Sequence, residues 1–147
     1  MHWRVITVGK PALPWARLGA EDYLKRLQRT GRHEWIVVKE GPPEVVTAKM
    51  LAAAEGCLKV VLDERGVTWR SLELAQWMDA KQQEGVKRAA LLIGGADGHT
   101  QALRDAADLC WSLSKLTLQH ELALTVALEQ LYRAGSILRG EPYHREG

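Results

Sequence analysis

Four short segments of this chain carry groups able to do chemistry. Near the C-terminus, Tyr143, His144 and Arg145 stand side by side. Tyrosine can stack on a base, histidine can move a proton near neutral pH, and arginine can hold a phosphate; a frayed chain end is the plain alternative. In Ile93-Gly94-Gly95-Ala96-Asp97-Gly98, three glycines within five residues let backbone approach a ligand closely or adopt positive φ. The stretch is not GxGxxG and no Walker lysine follows it, so the usual nucleotide motifs fail and an ordinary turn stays open. Trp111 to His120 (WSLSKLTLQH) separates a strand-like run from a helix-like one, yet Leu113, Leu116 and Leu118 ask for burial. Buried loop backbone needs hydrogen-bond partners, which a bound heterocycle can supply; a short edge strand is the alternative. Leu62-Asp63-Glu64-Arg65-Gly66 follows an apolar run and, on its own, reads as a strand-to-helix turn. The five histidines, at 2, 33, 99, 120 and 144, show no metal-ligand spacing, and no metal is expected.

The elements that must position these groups alternate in type. Strand patterns cover 3–8, 35–38, 58–62, 89–93 and 109–113. Helical patterns cover 15–29, 43–55, 71–82, 102–107 and a last helix from His120 or Glu121 to 138. Pro43 suits a first helical turn, and Ser71 and Thr100 are candidate N-caps. This alternation predicts an α/β fold with a mostly parallel sheet. The runs LKVVL and AALLI lack polar alternation, as central strands covered on both faces do. Three of the four chemical segments begin at carboxyl ends of strands, where open α/β sheets bind ligands. The last helix is apolar around more than half its circumference, wider than a surface helix needs. It is either central to the core or shared with a partner, and a twofold homodimer is expected.

Composition narrows the class further. A chain of 147 residues, 46% hydrophobic and 26% charged, suits one globular domain spanning 1–147. No apolar run is long enough to cross a bilayer, and the N-terminus reads as a strand and not as a signal peptide, so a cytoplasmic location is expected. Cys57 and Cys110 form no CxxC pair and sit in apolar runs, which points to buried free thiols. Net charge is +2, but residues 1–40 hold eight Lys/Arg against four acids. That excess fits phosphate contacts or simply a solvated surface.

Taken in order, LLIGGADG, WSLSKLTLQH and EQLYRAGSILRGEPYHRE, with the opening VITVGK and the YLKRL helix pattern, resemble the SPOUT-class family of large-subunit rRNA pseudouridine N3-methyltransferases (the RlmH or YbeA group) over nearly the whole chain. The resemblance implies an α/β knot fold with a C-terminal trefoil knot and a homodimer whose sites are completed by the neighbouring subunit. It also implies S-adenosylmethionine as methyl donor, without a metal. The implied substrate is a pseudouridine in the intersubunit stem-loop, helix 69, of 23S rRNA within the ribosome. By motif, Leu62, Gly94, Gly95, Leu113, Ser114, Lys115, Leu116, Thr117, Leu118 and Gln119 correspond to the cofactor site. His144, His120, Tyr143 and Arg145 correspond to the catalytic groups, and Arg133 to an arginine facing RNA or the partner chain. Gln119 and Leu124 depart from the pattern, which often has Pro or Ser and an arginine there; Arg139 or Arg4 then takes that arginine's place on RNA. The alternatives are a ribosome-binding SPOUT protein without activity, a related enzyme acting on tRNA, and a small α/β protein that binds another nucleotide.

N3 of a uracil ring carries a proton and is a poor nucleophile until that proton leaves. A general base is therefore expected, His144 first and His120 second, with Arg145 stabilising charge on the ring or a phosphate and Tyr143 placing the base.

Overall fold

The computed structural model describes residues 1–145; Glu146 and Gly147, the end of the tail motif, lie outside the described residues. Five strands and five helices alternate: β1 (His2–Val8), α1 (Pro14–Gln28), β2 (Glu34–Val38), α2 (Pro43–Ala53), β3 (Leu58–Thr68), α3 (Ser71–Gln83), β4 (Arg88–Ile93), α4 (Gln101–Ala106), β5 (Leu109–Ser112) and α5 (His120–Leu138). The strands form one sheet in the order β2-β1-β4-β3-β5, and every pairing is parallel.

The uninterrupted apolar runs occupy the sheet's middle, as their pattern requires. Along β4, Ala89, Leu91 and Ile93 join a core with α1, α3 and α5. Ala90 and Leu92 face the other way and pack with Met50 and Ala54 of the α2 region and Leu103 of α4. Side chains alternate across a strand, so a strand buried on both faces must be apolar at every position. Helix α5 lies between α1 and α3. Its Leu124, Ala127, Leu128, Leu131 and Ala134 are all buried, which explains most of its broad apolar surface. Leu124, where the family pattern often has an arginine, is a core residue.

Three expectations need correction. β3 does not end in a turn at Leu62 but runs on to Thr68. Leu62 and Val67 both pair with Trp111, so residues 63–66 bulge out of the ladder. The bulge requires glycine at its closest approach. A Cβ on Gly66 would stand 2.5 Å from the backbone carbonyl of Cys110. Ser71 is not an N-cap. It begins α3, its hydroxyl donates to Gln130 Oε1 at 2.6 Å, and Glu73 reaches back to the Arg70 amide at 2.9 Å. Cys110 is half-buried where full burial was expected, while Cys57 is buried; both are free. Thr100 does cap α4, accepting from the Leu103 amide at 3.2 Å.

Candidate functional site

The bulge of β3 and the carboxyl ends of β4 and β5 open into a cleft of about 460 Å³, within the size range of small-molecule sites. Leu62 and Ile93 are partners in the parallel register, so the segments that leave them start side by side. After β4 the chain turns back on itself, with the Gly98 amide donating to the Gly95 carbonyl at 3.0 Å. Gly98 holds a φ of +73°, a left-handed conformation suited to glycine. Gly94 meets a steric limit instead, since a Cβ there would lie 3.0 Å from the Gly98 backbone. Gly95 has room, its nearest neighbour being the Val8 side chain at 3.7 Å.

Residues 113–119 form the opposite wall. This loop satisfies part of its own backbone through a run of hydroxyl bonds. Ser112 Oγ donates to the Ser114 carbonyl at 2.7 Å, and the Leu116 amide donates to Ser114 Oγ at 3.0 Å. Thr117 Oγ1 donates to Glu64 Oε2 at 2.7 Å, tying the loop to the β3 bulge. Gln119 Oε1 accepts from the Glu121 and Leu122 amides at 2.8 and 2.9 Å and caps α5. Leu116 departs from the expected burial and is 74% exposed at the cleft wall; its neighbours Leu113 and Leu118 are half-buried.

Beneath the cleft sits an ion pair. Asp63 accepts from the Arg65 amide at 2.9 Å and from the Arg104 guanidinium at 3.1 Å. Burial pushes the Asp63 carboxyl up, but these donors and the nearby charges outweigh it and hold the group below the ordinary carboxylate range. Arg104 also donates to the His99 carbonyl at 2.8 Å, so the pair holds the glycine turn against α4. The His99 ring, with Nε2 3.2 Å from the Leu92 carbonyl, is pushed down chiefly by burial and stands neutral at physiological pH. Asp63, Glu64, Asp97, Arg65 and Arg104 all line the cleft. Sequence reasoning missed Asp97, His99 and Arg104 as lining residues and read Asp63 to Arg65 as a turn. The only signal was a polar cluster after an apolar strand, because the Asp63–Arg104 partnership spans 41 positions.

All but one of the expected cofactor residues line this cleft: Leu62, Gly94, Gly95, Leu113, Ser114, Leu116, Thr117, Leu118 and Gln119 do, while the exposed Lys115 does not. His120 lines it too. Its Nε2 is 3.7 Å from Glu121 Oε2. The other catalytic candidates stand elsewhere. Tyr143 donates to Glu129 Oε1 at 3.0 Å and lies 3.0 Å from the Tyr23 hydroxyl, which therefore donates to it. Burial and these two partners push the Tyr143 phenol well up, so it stays protonated. Arg133 pairs with Glu129 at 2.7 Å and donates to His144 Nδ1 at 3.1 Å. At about 1.5 Å of helix rise per residue, Glu129 lies roughly 14 Å along α5 from His120. The tail is thus docked midway along its own helix, away from its own cleft. Arg145 is exposed. Of the other arginines expected at RNA, Arg139 pairs with Glu141 at 2.8 Å. Arg4 is bound to Glu34 at 2.7 Å and to the Ala53 carbonyl at 2.8 Å.

Among the described residues, no group of three or more His, Cys, Asp or Glu is placed to hold a metal, and no helix is long and apolar enough to cross a membrane. The family profile described as "Predicted SPOUT methyltransferase" matches residues 1–144. The chain is similar to two proteins named "Ribosomal RNA large subunit methyltransferase H". The one from Thermus thermophilus is 48% identical over 145 residues, covering 99% of each chain. The one from Deinococcus deserti is 44% identical over 145 residues, covering 99% of this chain and all of the relative. Among solved structures, the tRNA (m1G37) methyltransferase from Aquifex aeolicus superposes with a TM-score of 0.58 at 12% identity, covering 100% of this chain and 76% of that one. That is a likeness of fold.

Proposed function

The chain belongs to the SPOUT methyltransferase family, with full-length relatives of the large-subunit rRNA methyltransferase H type, and from that premise we propose that it methylates N3 of a pseudouridine in helix 69 of 23S rRNA, using S-adenosylmethionine in the cleft between the β3 bulge and the carboxyl ends of β4 and β5. The observation that carries this reading is the convergence of Leu62, Gly94, Gly95 and the 113–119 loop on one cleft. Its volume suits an adenosine-sized ligand, Gly94 keeps the turn's backbone closely packed, and Gly95 leaves its side open. Leu62, Leu113 and Leu118 supply apolar wall for a heterocycle, and the turn and loop backbones supply polar edges.

The bound donor supplies an electrophilic methyl group on a sulfonium. The protein's work is alignment and proton removal, and holding reactants in line can contribute several kcal/mol. His144 is the first candidate to take the N3 proton and His120 the second. Tyr143 positions the base, and Arg145 stabilises charge on the ring or holds a neighbouring phosphate. Arg133, Arg139 and Arg4 are the arginines read as facing RNA. The distance between the tail and its own cleft supports a homodimer in which Tyr143, His144 and Arg145 act at the partner's cleft. The exposed Trp15, Leu18 and Leu122 support it as well. The protein works in the cytoplasm, on rRNA within the ribosome. The C-terminal trefoil knot belongs to this reading.

The test is radiolabelled methyl transfer to ribosomes from cells lacking the protein, followed by mass spectrometry of helix 69. One added methyl on a pseudouridine is expected. Gly95→Trp is expected to abolish S-adenosylmethionine binding in a calorimetric titration while the thermal midpoint stays near wild type, because Gly95 lines the cleft and a Cβ there meets nothing closer than the Val8 side chain at 3.7 Å. Normal cofactor binding in that variant, or methyl transfer to tRNA alone, overturns the reading.

A further inference from the structure

Two adjacent carboxylates leave the β3 bulge for two different walls of the cleft. Residues 63–66 stay extended while their ladder to β5 is interrupted, and successive side chains of an extended chain point to opposite faces. The Asp63 side chain turns inward and is only 6% exposed. Its neighbour Glu64 is exposed at the cleft.

Asp63 serves the glycine turn. It accepts from Arg104 at 3.1 Å, and Arg104 donates in turn to the His99 carbonyl at 2.8 Å, directly after Gly98. Arg104 reaches Gln101 Oε1 at 3.3 Å as well, inside its own helix. The far side of the turn is thereby fixed to the bulge and to α4 at once.

Glu64 serves the opposite wall. It accepts from Thr117 Oγ1 at 2.7 Å, across 53 positions of chain. The other side-chain bonds of residues 114–118 stay between Ser112, Ser114 and Leu116. Among the described residues, 114–118 make no backbone–backbone hydrogen bond. β5 and the capped start of α5 fix the two ends of the loop, and the Thr117–Glu64 bond is what fixes its middle.

We propose that Asp63 and Glu64 are the positioning residues of the methyl-donor cleft: Asp63 holds the glycine turn through Arg104, Glu64 holds the 113–119 loop through Thr117, and the bulge between them sets the separation of the two walls. This rests on the reading of the cleft as the S-adenosylmethionine site. Neither carboxylate acts on the methyl group; both act through the residues they hold.

The experiment uses the full chain and two readouts, hydrogen–deuterium exchange without ligand and calorimetric titration with S-adenosylmethionine. Thr117→Val is expected to speed exchange in 114–118 and to leave 94–99 as it was. Asp63→Asn combined with Arg104→Met, which strands no buried charge, is expected to do the reverse. Should that pair unfold, the same reverse pattern is read in Arg104→Lys, which keeps a cation beside Asp63. In the titration, Thr117→Val and Glu64→Leu are each expected to weaken affinity about three- to tenfold, as the loss of one hydrogen bond does. The two together are expected to lose no more than either alone, because they break the same bond. Thr117→Ser keeps the hydroxyl and Glu64→Gln keeps an acceptor, so both are expected to bind within about twofold of wild type. A general loosening of the fold, or loss of the Glu64 charge alone, would not give that rescue. Additive losses in the double variant, wild-type affinity in Thr117→Val, or exchange altered alike in both segments overturns the proposal. A wild-type chain that binds no S-adenosylmethionine overturns the proposed function instead, and the exchange pattern then still decides which carboxylate holds which wall.

Discussion

Arg133 donates to Nδ1 of His144 at 3.1 Å, and that bond decides which ring nitrogen is available. A guanidinium has no acceptor and keeps its protons, so Nδ1 is the accepting nitrogen and the neutral ring carries its proton on Nε2. On the proposed mechanism, His144 takes the proton only when Arg133 gives up this contact. His120 needs no such release, because it already lines its own chain's cleft. The two candidates therefore separate by experiment. His144→Ala is expected to slow single-turnover methyl transfer by about 10²–10⁴-fold, the usual contribution of a general base, with S-adenosylmethionine affinity unchanged. His120→Ala is expected to weaken cofactor affinity as well. Full activity in His144→Ala passes the base assignment to His120. The types of both residues were visible in the sequence. Arg133 as partner of His144, and Arg104 as partner of Asp63, were not, because such pairs form across turns and elements.

At the scale of elements, the β3 bulge links the fold to the site. Regular pairing of β3 with β5 breaks between Leu62 and Val67 and resumes at Val67. The displaced residues bring Asp63, Glu64 and Arg65 to the cleft. The bulge depends on Gly66, whose missing side chain lets Cys110 backbone pass at 2.5 Å from the Cβ position. Gly66→Ala cannot be relieved by a rotamer change, since its neighbours are main chain. It is expected to cost roughly 1–3 kcal/mol, as overpacking does, and to weaken cofactor binding, because β5 leads directly into the 113–119 loop. Urea denaturation and a cofactor titration check the two effects; a variant unchanged in both removes the bulge from this account. Periodicity located every helix and strand to within two residues except at the end of β3. There the polar run Asp63-Glu64-Arg65-Gly66 carries the composition of a turn, and only the neighbouring strand shows that it is a bulged continuation of the ladder.

For the whole molecule, the question is what α1 and α5 face beyond their own core. Gly19 of α1 lets α5 come close, for a Cβ there would stand 2.8 Å from the Thr125 side chain. Beside this contact Trp15 is 52% exposed, Leu18 68% and Leu122 36%. They lie on the same end of the helix pair as His120, which lines the cleft. A second copy seated there would cover these side chains and bring another tail toward the cleft. Leu18→Glu, and separately Trp15→Glu, are expected to shift the protein to monomer in sedimentation velocity and to abolish methyl transfer. Circular dichroism should stay near wild type, because both positions are exposed. A dimeric, active pair of variants would move the interface elsewhere.

The sequence by itself determined the α/β class, the order of the elements, the central place of LKVVL and AALLI, and the three segments that line one cleft. These follow from local rules: side-chain period, glycine and proline placement, and the need to cover a central strand on both faces. Only the tertiary structure decided that Leu116 stands exposed and that residues 63–66 bulge. It also decided that Asp63 and Arg104 pair under the glycine turn, and that the tail docks on Tyr23, Glu129 and Arg133 away from its own cleft. Each of these depends on which distant residue arrives next to which, and that is set when the sheet and helices pack together.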